Sequence, residues 1–343
     1  MRKHNSIALI YQHDCHPVIK TFASSITERS YSIKKLPLHV ISGIVYSLYL
    51  AITVPKYEIY FTDSAMSNFV PIFKRWLGEK NIIIYRGGDG IFGEKSNAYL
   101  YTKNILKKKI LLYILKNVDG IITESAMSKH DAQQWVNCPI ELGVSYINNI
   151  RSLSRIKPDL TTTRFLFIGD YRLPYDHKGI EILIATFGVL PREYELYIIG
   201  KNTEHLKNMK KTNNIHIEGW VTDLDDYFKK CTYYIHAAKY ETGPITVLEA
   251  MSAGLIPIIS KNCGHKDVVA KISPNLVLNS SDPKKIAKQV LIINHIRHQL
   301  KLEYSQKAKK IVNFDYSKEK KTRVFKRNFN RLIQEIQHSE NVK

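Results

Sequence analysis

Acidic residues are the scarce side of this sequence: 31 Asp and Glu stand against 51 Lys and Arg, a formal charge of +20. That imbalance favours an anionic partner, and charge alone does not choose among nucleic acid, an anionic membrane face and phosphorylated small molecules. Cysteine is also scarce. Cys15, Cys138, Cys231 and Cys263 show neither C-x-x-C spacing nor a disulfide framework, which argues against a zinc site and for a reduced, intracellular compartment. Long apolar runs are few. Ile7–Tyr11 is too short for a signal-peptide core. The stretch from Leu36 to Val54 has the length to cross a bilayer, but Pro37, His39, Ser42, Gly43 and Ser47 interrupt it, so a buried helix is expected there. There is no solenoid-length repeat, no low-complexity tract and no known nucleic-acid-binding motif. The lysines are spread along the chain and do not gather into a stripe with interleaved aromatics, so no nucleic-acid partner is expected.

What the sequence does have is a 44% apolar composition over 343 residues, enough for two α/β domains. Short apolar strands alternate with longer helical stretches. In the first half, strands are expected at Ile7–Tyr11, Glu58–Phe61, Asn81–Tyr85 and Gly120–Thr123. Helices are expected at Ala65–Leu77, Ala98–Lys116 and Ala126–Trp135. A polar stretch, SLSRIKPDLTTT from Ser152 to Thr163, interrupts the alternation and reads as a linker. A second series follows, with strands at Phe165–Ile168, Glu195–Ile199, Ile215–Glu218, Tyr233–His236, Ile256–Ile259 and Leu276–Leu278. Its helices fall at Ile180–Leu190, Leu224–Lys230 and Ile245–Ala253. Such βα alternation predicts parallel sheets with ligands at the carboxyl ends of the strands. The expected organisation is a first domain over 1–152, a linker at 153–163 and a second domain over 164–314. A basic helix near 315–338 is expected to pack back on the first domain.

The most informative segment is KYETGPITVLEAMSAGLIP, from Lys239 to Pro257. Glu241 follows a buried strand, and Gly243 and Pro244 precede a helix beginning near Ile245. Unpaired N–H groups at a helix start, beside the positive end of its dipole, suit a diphosphate. Glu249, eight residues beyond Glu241 and flanked by apolar residues, needs a partner, and the vicinal hydroxyls of a ribose would supply one.

This segment resembles the E-x7-E motif of retaining family 4 glycosyltransferases of the GT-B fold. It keeps both Glu, the Gly/Pro pair, Ala250, Met251, Gly254 and Pro257. Upstream, Phe167-Ile168-Gly169, Arg172 and Lys178-Gly179 resemble that family's strand-G-R…K-G segment, with Asp170-Tyr171 intervening before the Arg. Gly219-Trp220-Val221 resembles its G-x-V turn. The likeness covers about Phe165 to Val290 well and the first half in outline, through Val118–Ser125 (VDGIITES).

The resemblance implies an α/β GT-B architecture, two Rossmann-like domains with parallel sheets facing across a cleft. It implies a nucleoside-diphosphate sugar as substrate and transfer with retained configuration, without an obligatory metal. Catalysis would fall to Glu241, Arg172 and Lys178. Donor binding would fall to Gly169, Trp220, Val221, Gly243, Pro244, Ile245 and Glu249, with the backbone at Trp220 and Val221 reading the base. The expected activity is hexose transfer onto a glycan or lipid-linked acceptor in cell-surface polysaccharide or glycoconjugate synthesis. On the acceptor side, the loop His13-Asp14-Cys15-His16-Pro17 stands where the family often has a Gly-rich loop. Arg86-Gly87-Gly88-Asp89 stands where it often has a His. His13, Arg86 and Asp89 are therefore the acceptor-side candidates.

The run KNILKKKILLYILK, Lys103 to Lys116, is basic and amphipathic. It fits either an anionic membrane face or the outside of the first domain with its apolar side in the core. With the overall charge, it makes a cytoplasmic protein peripheral to the inner membrane face the expectation. Two other functions compete: a nucleotide-sugar epimerase of related architecture, and a non-enzymatic polyanion-binding protein.

Overall fold

The computed structural model describes residues 7–12, 15, 17–33, 39–87, 104–143, 145–171, 176–210 and 212–341. Contacts divide the chain into two units, one formed by residues 1–145 and 319–343, the other by 146–318. The boundary falls at Ser145–Tyr146, so the polar stretch expected to be a linker lies inside the second unit. Part of it is a short helix, Ile150–Leu153.

The first unit contains β1 (Ile7–Gln12), α1 (Pro17–Ser24), β2 (Arg29–Ile33), α2 (His39–Thr53), β3 (Ile59–Asp63), α3 (Phe69–Trp76), β4 (Ile82–Gly87), α4 (Ile105–Asn117), β5 (Gly120–Thr123), α5 (Ala126–Gln133) and β6 (Ile140–Leu142). Its six strands are all parallel, in the order β2-β1-β3-β4-β5-β6. The interiors of β1, β3, β4 and β5 are almost continuous apolar runs, as a sheet covered on both faces requires. The expected strand at Asn81–Tyr85 runs further, to Gly87, and carries Arg86 to its carboxyl end. Of the long basic helix, the described part begins at Ile105. Leu111, Ile114 and Leu115 are buried in the core with Phe73, Ile83 and Ile121, so that side of the helix faces the domain interior.

The second unit contains α6 (Ile150–Leu153), β7 (Arg164–Ile168), α7 (Ile180–Phe187), β8 (Glu195–Ile199), β9 (Ile215–Gly219), α8 (Asp225–Lys230), β10 (Tyr233–His236), α9 (Ile245–Ala253), β11 (Ile256–Ser260), α10 (Lys266–Ala270), β12 (Val277–Leu278), α11 (Pro283–Asn294) and α12 (His298–Asp315). Its strands are also all parallel, in the order β12-β11-β10-β7-β8-β9. Helix α7 is shorter than expected: it ends at Phe187 with Gly188 as its cap, before Pro191.

The last helix, α13 (Lys318–Asn341), closes the core of the first unit. Phe325 stacks on Phe22 at 4.7 Å between ring centroids, and Phe329 meets Phe61 edge-on at 5.7 Å. Asn328 donates its side-chain amide to the Leu142 carbonyl at the end of β6. The Gly120 Cα lies so close to Leu332 and Ile336 that a Cβ there would sit 2.9 Å from the Ile336 Cδ1.

Candidate functional site

In the second unit the strand order reverses between β7 and β10: β8 and β9 continue to one side of β7, β11 and β12 to the other side of β10. The loops leaving β7 and β10 therefore part at their carboxyl ends and open a crevice, where open α/β sheets bind ligands. These two loops carry Lys178 and Glu241.

Glu241 is held by its backbone on the loop after β10. Its N–H donates to the Asn262 carbonyl at 3.1 Å, and its own carbonyl accepts from the Gly264 N–H at 2.8 Å. Its side chain is buried between two donors. Lys178 Nζ lies 2.9 Å from Oε1, and His236 Nε2 lies 2.5 Å from Oε2. Burial alone would raise the Glu241 pKa, but the adjacent His236 ring and Lys178 ammonium outweigh it and hold the carboxyl well below the usual range. Glu241 is thus an anion with one fixed orientation.

Several backbone contacts set Lys178. The buried Asp176 carboxylate accepts from the N–H groups of Ile180 and Glu181, both at 2.9 Å, and so caps helix α7. The His177 carbonyl accepts from the Lys239 N–H at 2.8 Å, which ties the turn to the loop after β10. Gly179 takes a left-handed conformation (φ +74°) directly against the Ala237 carbonyl. At the start of the same loop, a Cβ at Gly169 would press on the Lys178 stem at 2.9 Å, so a bare backbone there leaves room for the lysine.

Helix α9 begins beside Glu241. Unlike α7, it has no side-chain acceptor at its first N–H groups among the described residues, and Pro244, the residue before it, has no N–H. Gly243, Pro244 and Ile245 thus bring a helix start with open backbone donors to the crevice. Glu249 stands one turn further along α9. Burial raises its pKa, with no cation or hydrogen bond among the described residues to offset it. The folded state therefore holds the proton more tightly than the unfolded chain does. As pH climbs out of the ordinary Glu range, the ligand-free protein therefore gives up stability. Glu249→Gln is expected to raise the melting temperature at pH 7 in the absence of ligand while weakening stabilisation by nucleotide, read in one thermal-shift series with and without ligand. A lower melting temperature without ligand would show that Glu249 is paired.

The loops after β7, β8 and β9 are joined along the same edge. Gly169 N–H donates to Ile199 O at 2.8 Å, Tyr171 N–H to Lys201 O at 3.0 Å, and Gly200 N–H to Gly219 O at 2.8 Å. Trp220 follows β9 with an exposed indole, and Lys201 Nζ lies 4.8 Å from its ring centroid. Val221 is half-buried next to it. Arg172 lies outside the described residues.

Sequence reasoning missed His236. It is fully buried, its ring stacks on Phe167 at 5.3 Å, and its Nδ1 lies 3.4 Å from the Tyr234 hydroxyl. That hydroxyl in turn lies 2.8 Å from Thr246 Oγ1 in the first turn of α9. A polar chain therefore runs from Glu241 through His236 and Tyr234 to the start of α9. The available signal was a histidine ending an otherwise apolar strand five residues before Glu241.

In the first unit the strand order reverses between β1 and β3. Arg86, at the end of β4, pairs with Asp63 at the end of β3 (3.0 Å) and with Glu124 after β5. Cys15 donates to Asp63 Oδ2 at 3.8 Å, and burial pushes its thiol up to about 12. Arg86 is thus held by two carboxylates. His13 and Asp89 lie outside the described residues. Among the described residues, no three His, Cys, Asp or Glu side chains come together in a way that could hold a metal ion.

These features have counterparts in known proteins. Residues 162–294, which contain the whole Lys178–Glu241 crevice, match the family model described as Glycosyl transferases group 1. An uncharacterized glycosyltransferase of Haemophilus influenzae is 28% identical over 236 residues, and the match spans 65% of this chain and 65% of that relative. Among solved structures, Anabaena HepE in complex with UDP and glucose superposes with a TM-score of 0.73 at 10% identity, over 95% of this chain and all of that one. WaaG, a glycosyltransferase involved in lipopolysaccharide biosynthesis, superposes with a TM-score of 0.67 at 15% identity, over 93% and 99%. With its two six-stranded parallel sheets, the chain has the GT-B fold. Its residues 162–294 are a glycosyl transferases group 1 domain.

Proposed function

We propose that the protein is a retaining glycosyltransferase of the family 4 type, moving a hexose-type sugar from a nucleoside-diphosphate sugar to a glycan or lipid-linked acceptor of the cell surface. One observation carries this reading. A buried, ionised Glu241 is clamped by Lys178 and His236 at a strand-order reversal, beside the uncapped start of α9.

In this reading Glu241 orients the sugar by accepting from its hydroxyls. The Lys178 ammonium has three hydrogens; one is engaged by Glu241, and the other two can reach the diphosphate as charge grows on it. The N–H groups at the start of α9 and Arg172 add to that stabilisation. Glu249 accepts from the ribose hydroxyls, which gives its unmatched carboxylate a partner. The bond between the anomeric carbon and the diphosphate oxygen breaks while the acceptor oxygen bonds the same face. The acceptor proton passes to the departing phosphate. Residues of the first unit, with Arg86, Asp89 and His13 as candidates, would receive the acceptor.

The test is a screen of UDP-, GDP- and ADP-sugars for thermal stabilisation and donor turnover, with UDP first because a structural neighbour holds it. One nucleotide should stabilise the wild type, and Lys178→Ala and Glu249→Ala should each lose that response. No response to any nucleotide would overturn the reading. Conversion of a lone donor to its epimer would replace transfer with epimerisation.

A further inference from the structure

Large apolar side chains exposed to solvent are unevenly placed. On α2, Val45, Leu48, Tyr49 and Ile52 are between 44% and 69% exposed. Their spacing of three and four residues puts them on one face of the helix. The sequence suggested a buried helix; among the described side chains the opposite side, with Ser47, Leu50 and Ala51, is buried and this face is not. Helix α3 ends with Trp76 and Leu77, 67% and 58% exposed, and α4 begins with Ile105 and Leu106, 70% and 65% exposed. The three helices are neighbours: α2 packs on α3, and inward residues of all three share one core cluster through Ala51, Phe73 and Leu111. Trp76 also meets Tyr113 of α4 at 6.5 Å between ring centroids. One helical layer of the first unit thus presents an apolar surface where water would otherwise be expected.

Charge identifies its occupant. Helices α2, α3 and α4 contain no Asp or Glu. Helix α4 carries Lys107, Lys109 and Lys116 exposed, with Lys108 half-buried beside the Trp135 ring. A second copy of this chain, meeting the layer face to face, would set these lysines against their own counterparts with no acid on the helices to offset them. An anionic lipid surface reverses that balance: its headgroups match the lysines, and its acyl boundary takes up the apolar side chains. No helix among the described residues is long and apolar enough to cross a membrane. The contact is therefore a docking in the plane of the bilayer.

We infer that the α2–α3–α4 layer is a membrane-docking surface for anionic phospholipid. This inference does not depend on the sugar chemistry, and its test uses no nucleotide. The full chain is sedimented with vesicles of phosphatidylcholine alone, or of phosphatidylcholine with 30% phosphatidylglycerol, at low and high salt. The variants are Val45→Ser/Leu48→Ser/Ile52→Ser and Lys107→Glu/Lys109→Glu. The wild type is expected to bind the anionic vesicles more tightly than the neutral ones, and less tightly as salt rises. Each variant should lose at least about tenfold in affinity, given the apolar area or charge removed. These side chains are exposed, so the melting temperature should hold, which separates lost docking from lost folding. Wild-type binding no stronger to anionic than to neutral vesicles, or unchanged binding by the triple-serine variant, would overturn the inference. So would a concentration-dependent dimer that the triple-serine variant abolishes without any vesicle binding.

Discussion

On the proposed reaction, Glu241→Gln is expected to lower sugar transfer by about 10²–10³-fold while the protein stays folded. The amide keeps the shape of the side chain, and its oxygen can still accept from His236 Nε2. What it loses is the negative charge that pairs with Lys178 at 2.9 Å. Glu241→Ala loses the shape as well and leaves Lys178 and His236 facing an empty space, at a cost of about 3–5 kcal/mol of stability. The two variants together separate charge from packing: the Gln variant should be stable and slow, the Ala variant unstable and slow. Turnover of the Gln variant within tenfold of the wild type would remove Glu241 from the reacting sugar. The pH dependence follows from the depressed pKa. The stabilisation due to the ionised Glu241 is complete above the ordinary carboxylate range and is lost only as the pH falls through its much lower value in the folded protein. The clamp should therefore remain intact throughout the neutral range.

Gly179→Ala is expected to be among the most damaging single-methyl additions in the second unit. Its φ of +74° disfavours any side chain, and the added carbon would land on the Ala237 carbonyl oxygen. The strain and the clash together are worth about 3 kcal/mol, on the order of 10 °C in melting temperature for a domain of this size. The effect should reach function too, because the same turn carries Lys178 and is tied through His177 to the loop leading to Glu241. Thermal unfolding and nucleotide stabilisation, measured on the same sample, check both parts. An unchanged melting temperature would mean that the turn opens easily, and the account of how Lys178 is set would fail.

The parts of this molecule legible in the sequence are those with a strong local pattern. The central strands Ile7–Gln12, Arg164–Ile168 and Tyr233–His236 are buried on both faces and read as apolar runs. The Glu241–Glu249 segment was legible because helix start, small residues and two carboxylates occur within one short stretch. Edge elements were not. Strand β2, RSYSI, lies at the edge of its sheet, is mostly exposed or half-buried, and has no apolar run to reveal it. The three-residue β6, at the other edge, is mostly buried but too short to show a strand pattern. Partnerships across the chain were also hidden. Arg86 was visible as a charge after a strand, but its two carboxylates come from β3 and from the loop after β5. Nothing in the local sequence singles out Asp176, which the turn brings to the start of α7. The exposed face of α2 escaped notice because hydrophobicity says what a helix could bury and leaves open what covers it.

The seat of α13 has a consequence for the order in which the chain can fold. Phe325, Phe329, Leu332 and Ile336 supply part of the interior into which Phe22, Phe61 and Gly120 pack. During synthesis, the first 145 residues leave the ribosome without that material and wait while the entire second unit emerges. The second unit holds all of its own strands in one continuous stretch and can complete itself as it appears. The half of the protein made first is therefore finished last, and until then its unfilled core and its apolar helical layer are exposed together.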